Sequence, residues 1–499
     1  MNYFSTRDKS LKFSFKDIFL RGLAPGGGLF IPSEIKHYDK TELVKLSQLS
    51  YEDLATEILF NFCSNDIEKV ELKSLIKKAY KGFEEKEVVS IKKIGNVNLL
   101  ELYHGPTLAF KDIAMQVIGN MYDHLKVAKK RTVNILVATS GDTGTAAIAA
   151  LNNRENINLF VLHPHNKISN IQRKIMTTIG SNNIYNLAIK GSFDDCQKIV
   201  KELFNENEFR EKINMSGVNS INWARIICQI VYYFYSYFKL DKKNISFSVP
   251  TGNFGDIFAG YVAKKMGLPI DKLIVATNEN DILQRVINKG EYKPDKVKPS
   301  LSPSMDIQVS SNFERLLFYV VGENDDKVKS MMNSLNDKGF FQLNEQEIKE
   351  IKKDFLAIKI SDKETVNIIK EINNKNQFVI DPHTATAFGA IYKTENLPNV
   401  IALGTAHPYK FFETVKEATG NDLKAPKQLE EFVDKEGKYF NYIRGLNTFY
   451  NTNCDNNVDS HEFNVQGIGR ASAISGNVNP TEFTVTTSLD DNCFPDPTP

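Results

Sequence analysis

Lys111 sits in the stretch His104-Gly105-Pro106-Thr107-Leu108-Ala109-Phe110-Lys111-Asp112, where an apolar segment is expected to enter a helix. An ammonium group deprived of water is costly, so a lysine there either reaches solvent or serves chemistry. Desolvation and a positive helix end both push a lysine pKa down, and an amine with a lowered pKa suits Schiff-base chemistry. Three further stretches place polar turns after short apolar runs: Thr139-Ser140-Gly141-Asp142-Thr143-Gly144, Thr251-Gly252-Asn253-Phe254-Gly255-Asp256 and Gly404-Thr405-Ala406-His407-Pro408. A Gly-rich turn that opens a helix offers backbone N–H groups to an anion. Two such turns suit two anionic groups, for example a phosphate and a carboxylate. Neither matches G-x-G-x-x-G or G-x-x-x-x-G-K-[ST], which disfavours NAD and ATP. Taken singly, a lysine is usually a surface residue and a Gly-containing turn is often only structural. Together, an imine-forming lysine, a phosphate cradle and a carboxylate turn describe a pyridoxal phosphate (PLP) enzyme.

The surrounding pattern supplies elements to carry these turns. Short apolar runs such as "VNLLELY", "TVNILVATS", "INLFVLHP", "NISFSVP", "KLIVATN", "QFVID" and "NVIALG" alternate with helical segments. That alternation argues for α/β architecture with mainly parallel sheets covered on both faces. Residues 1–95 read as a mainly helical N-terminal domain, with "KFSFKDIFLRGL" in helical spacing and "APGGG" as its stop. Residues 96–435 read as the catalytic α/β region in two subdomains. Residues 293–306 read as an exposed Lys/Pro/Ser-rich connection. After Lys438 there is no lysine, and residues 445–499 carry seven acidic residues against Arg470 alone. Residues 436–499 are therefore expected to form a divergent, weakly structured tail.

Composition narrows the class. With 499 residues, 41% hydrophobic, 25% charged and a net charge of +1, the chain reads as a multidomain globular protein with no bias toward nucleic acid or anionic membrane. No apolar run has the length of a membrane span, and the nearest, residues 226–238, reads as a buried aromatic helix. The five scattered cysteines form no C-x-x-C pair, which supports neither a metal site nor a disulfide framework and fits a cytoplasmic setting. His104, His383 and His407 read as structural loop histidines, Cys196 and Trp223 as packing. Asp194 and Asp195 read as a helix cap rather than an acid/base pair.

"HGPTLAFKD", "ATSGDTGTAA", "PTGNFGD" and "TAHPYKF", in this order, resemble the threonine synthase family, as do "STR", "GLFIP", "GSFDDCQ", "NSINWARIICQIVYYF" and "SNFERL". The resemblance covers about residues 3 to 435 and departs at Gly26, where the family usually carries an acidic residue. It implies the fold-type II (tryptophan-synthase-β) arrangement of PLP enzymes, two open α/β subdomains with an N-terminal extension. It implies that Lys111 anchors PLP and serves as acid and base, with Phe110 against the ring. It implies that Gly252, Asn253, Phe254, Gly255 and Asp256 hold the cofactor phosphate and that Thr405 faces the pyridine nitrogen. Asp142 would face the 3′ oxygen. Ser140, Gly141 and Thr143 would receive the substrate carboxylate. Ser311, Asn312, Arg315 and Lys410 are candidates for the substrate phosphate.

The implied reaction is O-phospho-L-homoserine plus water to L-threonine plus phosphate, in a monomer or homodimer. A phospho-lyase releasing 2-oxobutyrate and ammonia is the alternative, and a non-catalytic PLP- or metabolite-binding protein a third reading. Residue by residue, Pro106 and Thr107 are expected to open the helix, with Thr107 as its cap.

Overall fold

The computed structural model describes residues 1–125, 132–179 and 181–433, and after them the backbone of four strands, Tyr439–Ile443, Phe449–Thr452, Phe463–Val465 and Ala471–Ile474. The chain forms two compact units: Met1–Lys126 with Gly217–Glu431, and Val127–Ser216 with Phe432–Pro499.

The first unit is built on a six-stranded sheet in the order Phe355–Lys359, Ile270–Thr277, Ile245–Pro250, Asn399–Gly404, Val97–Glu101 and Ser90–Ile94. The first five strands are parallel and Ser90–Ile94 closes the edge antiparallel. Ile245–Pro250 is buried at every residue, as a parallel strand covered on both faces must be, so its sequence shows no alternation. The helix Trp223–Leu240 is buried from Trp223 through Ser236, the aromatic core helix expected there. Among the described residues no helix is long and apolar enough to cross a membrane.

Residues 1–95 lie in the same compact unit as this sheet, and the packing explains why. Tyr3 donates its hydroxyl to the Phe62 carbonyl at 2.5 Å, and the Tyr3 and Phe62 rings both pack on Trp223. Arg7 makes two bonds to Glu314, at 2.8 and 2.7 Å, and the Thr6 hydroxyl adds a third at 2.6 Å. The N-terminal residues thus share a core with helices far along the chain. They also contain a three-stranded sheet of Asp8–Phe13, Tyr3–Ser5 and Phe30–Pro32 besides their helices. The stretch "KFSFKDIFLRGL" therefore splits. Its first two residues end a strand, and Ser14 caps the helix Phe15–Arg21. Gly26 adopts φ 72°, the left-handed region in which glycine is unstrained.

In the second unit the strands Tyr439–Ile443, Ile184–Lys190, Ile157–Pro164 and Val133–Ala138 run parallel in that order. Ala471–Ile474 lies antiparallel at one edge and Met215–Gly217 closes the other. Most of the expected tail falls outside the described residues.

Two sequence expectations need correction. "QFVID" is not a strand: Gln377 ends the helix Asp362–Asn376 in the left-handed conformation, and Asp381 caps the next helix, Pro382–Tyr392. Its apolar residues were read as strand because Ile380 faces a core. Conversely, Ile184–Lys190 and Phe355–Lys359 are strands that only very short apolar runs mark in the sequence. The 293–306 connection, expected to be exposed, instead buries Ser302 and Met305 and forms the 3₁₀ turn Pro303–Met305, because Asn278, Asn280 and Ser300 donate to the Asp306 carboxylate and draw it inward.

Glu314→Ala would strand the Arg7 guanidinium and the Thr6 hydroxyl in a largely buried site. The expected loss is about 3 kcal/mol, read as a lowered urea midpoint; an unchanged midpoint would show that the Arg7 and Thr6 bonds to Glu314 do not hold the N-terminal residues in place.

Candidate active site

Lys111 is the first residue of the helix Lys111–His124, and no side chain caps that helix at Phe110. Lys111 is 8% exposed, with its Nζ 5.0 Å from the centre of the Phe110 ring. The loop before it is organised by Asp112, not by a Thr107 cap. The Asp112 carboxylate accepts from the Thr107 amide at 2.8 Å, the Thr107 hydroxyl at 2.6 Å and the Ala109 amide at 3.4 Å. Thr107 therefore lies ahead of the helix, bonded to its second residue. Burial raises the Asp112 pKa, opposed by the Thr107 bond and the Lys410 charge. A side chain at position 105 would strike Asp112, its Cβ coming within 2.5 Å, so glycine is required there.

The other wall comes from the end of Asn399–Gly404. The Phe110 amide donates to the Thr405 carbonyl at 2.9 Å and the His407 amide to the Leu108 carbonyl at 3.0 Å. Lys410, fully buried, donates its Nζ to the Thr107 carbonyl at 2.9 Å. "HGPTLAFKD" and "TAHPYK" are thus zipped backbone to backbone. Leu108 takes φ 56° within this zipper, a left-handed conformation that its bonded carbonyl helps to hold.

The turn 251–254 joins the strand Ile245–Pro250 to the helix Gly255–Lys265. Phe254 sits at φ 62° and no side chain caps the helix. Left-handed geometry at a helix start converges successive N–H groups into an anion-binding nest. A Cβ on Gly252 would meet the Ser304 carbonyl at 2.9 Å and Met305 Cα and Ile307 Cγ1 at 3.1 Å, so a neighbouring loop lies directly on the turn. A second loop hooks it from the side. Ser310 Oγ donates to the Gly252 carbonyl at 2.7 Å, the Asn312 amide to the Asn253 carbonyl at 3.1 Å and Ser311 Oγ to Asn253 Oδ1 at 3.3 Å. Arg315 is fully buried: its Nε donates to the Phe30 carbonyl at 2.9 Å, its Nη2 to the Ile221 carbonyl at 2.6 Å and its Nη1 to Asn312. Its head is thus engaged by protein acceptors.

The Asp256 side chain turns back beneath its helix. Its Oδ1 accepts from the Tyr232 and Tyr233 hydroxyls at 2.5 and 2.9 Å. Burial raises its pKa to about 6, opposed by those hydroxyls and the charges of Arg225 and Lys111. The backbone amide of Asp256, not its carboxylate, is what the turn offers an anion.

These residues all belong to the first unit; Ser140, Gly141, Asp142 and Thr143 belong to the second. There the helix Asp142–Leu151 opens at Gly141, at φ 134°, without a side-chain cap. The Thr139 hydroxyl accepts from the Gly141 and Gly144 amides, both at 2.9 Å. Gln172 Nε2 donates to Asp142 Oδ1 at 2.8 Å, while Ser140 and Thr143 remain half-buried.

Other singled-out residues have structural partners. His104 lies against Glu101 and Ser90, and His407 accepts from the Tyr409 amide. Ser192, with Asp195 in a reciprocal capping box, begins the helix Phe193–Asn205; the side chain of Asp194 lies outside the described set. Cys196 and Trp223 are fully buried.

The uncapped nest, the glycine that admits no side chain and the buried lysine fit PLP, with the nest for its phosphate and Lys111 for its aldehyde. Residues 91–401 match the family model "Pyridoxal-phosphate dependent enzyme", residues 2–80 "Threonine synthase N terminus" and residues 384–444 "Threonine synthase, C-terminal". Threonine synthase of Pseudomonas aeruginosa is 42% identical over 442 residues, 87% of this chain and 94% of that protein. Its Saccharomyces cerevisiae counterpart is 43% identical over 455 residues, 83% and 88% of the two chains. The chain belongs to the threonine synthase family.

Solved structures agree. PLP-bound threonine synthase from Brucella melitensis matches with a TM-score of 0.84 and 41% identity, covering 89% of this chain and 96% of that one. The yeast structure matches at 0.82 and 40%, covering 89% and 96%. The architecture is thus the fold-type II arrangement of the PLP enzymes, and threonine synthases are PLP-dependent. The family match reaches residue 444, past the strand Tyr439–Ile443.

Two outcomes follow from this geometry. Gly252→Ala forces the Ser304 loop off the turn and weakens PLP binding about tenfold or more, measured by titrating the stripped protein with PLP; wild-type affinity would contradict the close approach. Folded Asp256 keeps its proton to about pH 6, whereas an unfolded aspartate loses it near 3.8. The folded chain holds the extra proton between those values, so this group's contribution to stability falls as pH rises through the window. Asp256→Asn, which retains an acceptor for both tyrosines, flattens the thermal midpoint against pH in that window; an unaltered slope would assign it elsewhere.

Proposed function

We propose that this chain converts O-phospho-L-homoserine and water to L-threonine and inorganic phosphate, with PLP anchored on Lys111. The observation that carries this reading is the buried Lys111 at an uncapped helix start, on a loop zipped to Thr405, in a chain of this family. Bound PLP supplies an electron sink for the pair left when a proton leaves the substrate α carbon. In the proposal the substrate amine takes the place of Lys111 on the cofactor, and the freed Lys111 Nζ removes that proton and then serves the neighbouring carbons, returning and taking protons as the γ phosphate leaves and water adds at the β carbon. A lysine suits this because its flexible stem lets one amine reach several atoms.

Phe110 would line the cofactor ring and the Thr405 hydroxyl would bind its pyridine nitrogen. The amides of Gly252, Asn253, Phe254, Gly255 and Asp256 hold its phosphate. Asp142, which accepts from Gln172, would serve the 3′ oxygen, and Ser140, Gly141 and Thr143 would receive the substrate carboxylate. Ser311, Asn312, Arg315 and Lys410 are the groups proposed for the substrate phosphate, and Arg315 Nη1 also donates to Asn312. A cytoplasmic enzyme acting as monomer or homodimer belongs to the same proposal; Cys63 and Cys228, buried thiols outside any disulfide, fit a reducing compartment.

Incubation with O-phospho-L-homoserine is expected to release phosphate and threonine in equal amounts. Release of 2-oxobutyrate and ammonia without threonine would establish the phospho-lyase instead. Lys111→Ala is expected to lose the covalently bound cofactor's absorbance at the visible edge and at least about a thousandfold in kcat.

A further inference from the structure

His383 belongs to none of these roles, yet its hydrogen bonds lead to the phosphate turn. It is the second residue of the helix Pro382–Tyr392 and is 3% exposed. Asp381, the cap of that helix, accepts from the His383 amide at 2.9 Å and lies 2.8 Å from His383 Nδ1. On the other side of the ring, the Ser304 amide donates to Nε2 at 3.2 Å. A backbone N–H can only donate, so Nε2 must carry a lone pair. The carboxylate can only accept, so Nδ1 must carry the proton. One neutral tautomer satisfies both bonds, and the Phe411 ring, 4.7 Å away, packs against the imidazole.

Ser304 belongs to the 3₁₀ turn Pro303–Met305, which lies on Gly252. The Thr386 hydroxyl, one helical turn beyond His383, contacts Met305 Sδ at 3.7 Å. The opposite end of this loop is fixed independently by Asp306 through Asn278 and Asn280. The chain of contacts therefore runs from Asp381 through the imidazole and Ser304 to Gly252.

We propose that His383 is a positioning residue: as its neutral Nδ1–H tautomer it pins the 303–305 turn onto Gly252 and so holds the cofactor-phosphate nest in shape. This rests on the reading of residues 252–256 as that nest. It acts through Ser304 and touches neither cofactor nor substrate.

The test uses the full chain, stripped of PLP and titrated back, followed by the visible absorbance band and by ³¹P resonance of the bound cofactor. Glutamine can place an acceptor where Nε2 stands, whereas asparagine reaches only the Nδ1 position. His383→Asn is expected to weaken PLP binding about tenfold to a hundredfold and to shift or broaden the ³¹P signal, while His383→Gln stays near wild type. Ser304→Pro deletes the donor with His383 intact and is expected to reproduce the asparagine effect. Should His383→Asn fail to fold, Ser304→Pro decides the matter. Wild-type affinity in either variant that folds, or equal impairment by glutamine and asparagine, would overturn the proposal. Absence of PLP binding by the wild-type chain would overturn the reading of the nest, and this proposal with it.

Discussion

The buried carboxylate of Asp112 is the constraint on which the site depends. It draws the Thr107 amide, the Thr107 hydroxyl and the Ala109 amide around one point, and the chain leaves that knot with Lys111 already at the head of a helix. Removing a carboxylate from water is unfavourable, so the knot exists only because its bonds are satisfied together. The same loop then spends its remaining polar groups on residues 405–410: the Leu108 carbonyl, the Phe110 amide and the Thr107 carbonyl each find a partner there. Local and distant bonds agree on one backbone path, which is why Leu108 can hold a left-handed conformation.

The phosphate turn obeys a different logic. In the proposed role its amides are left for a ligand, and its shape is held from outside by two loops bonded to its carbonyls and stacked on its glycine. Arg315 illustrates the cost. Its guanidinium is fully buried and meets three protein acceptors. Two of these are the Phe30 and Ile221 carbonyls, from quite separate parts of the chain. A buried charge first has to satisfy itself.

Much of this was legible in sequence, and the reasons differ by residue. The two Gly-rich turns and Lys111 stand out because their types are unusual for their apolar surroundings. The parallel strands announce themselves as short apolar runs, although Phe355–Lys359 escaped because charged residues flank it and "QFVID" misled because a capped helix junction also buries apolar side chains. What sequence could not reveal is partnership. Nothing local marks Asp112 as the organiser in place of a Thr107 cap, nor Asp256 as belonging to Tyr232 and Tyr233. The "DPH" at 381–383 carries a visible cap signal, but its link to Ser304 spans 79 residues. Composition changes near residue 95, but sequence does not reveal that the residues before it share one compact unit with the sheet.

The bond from Lys410 to Thr107 joins residues 303 apart in sequence. On a ribosome, the loop that presents Lys111 emerges long before the segment that completes it. Until then the lysine is an ordinary flexible side chain, unable to grip a reactive aldehyde in a defined pose. Long-range closure of this kind slows folding but ties cofactor capture to a nearly finished chain.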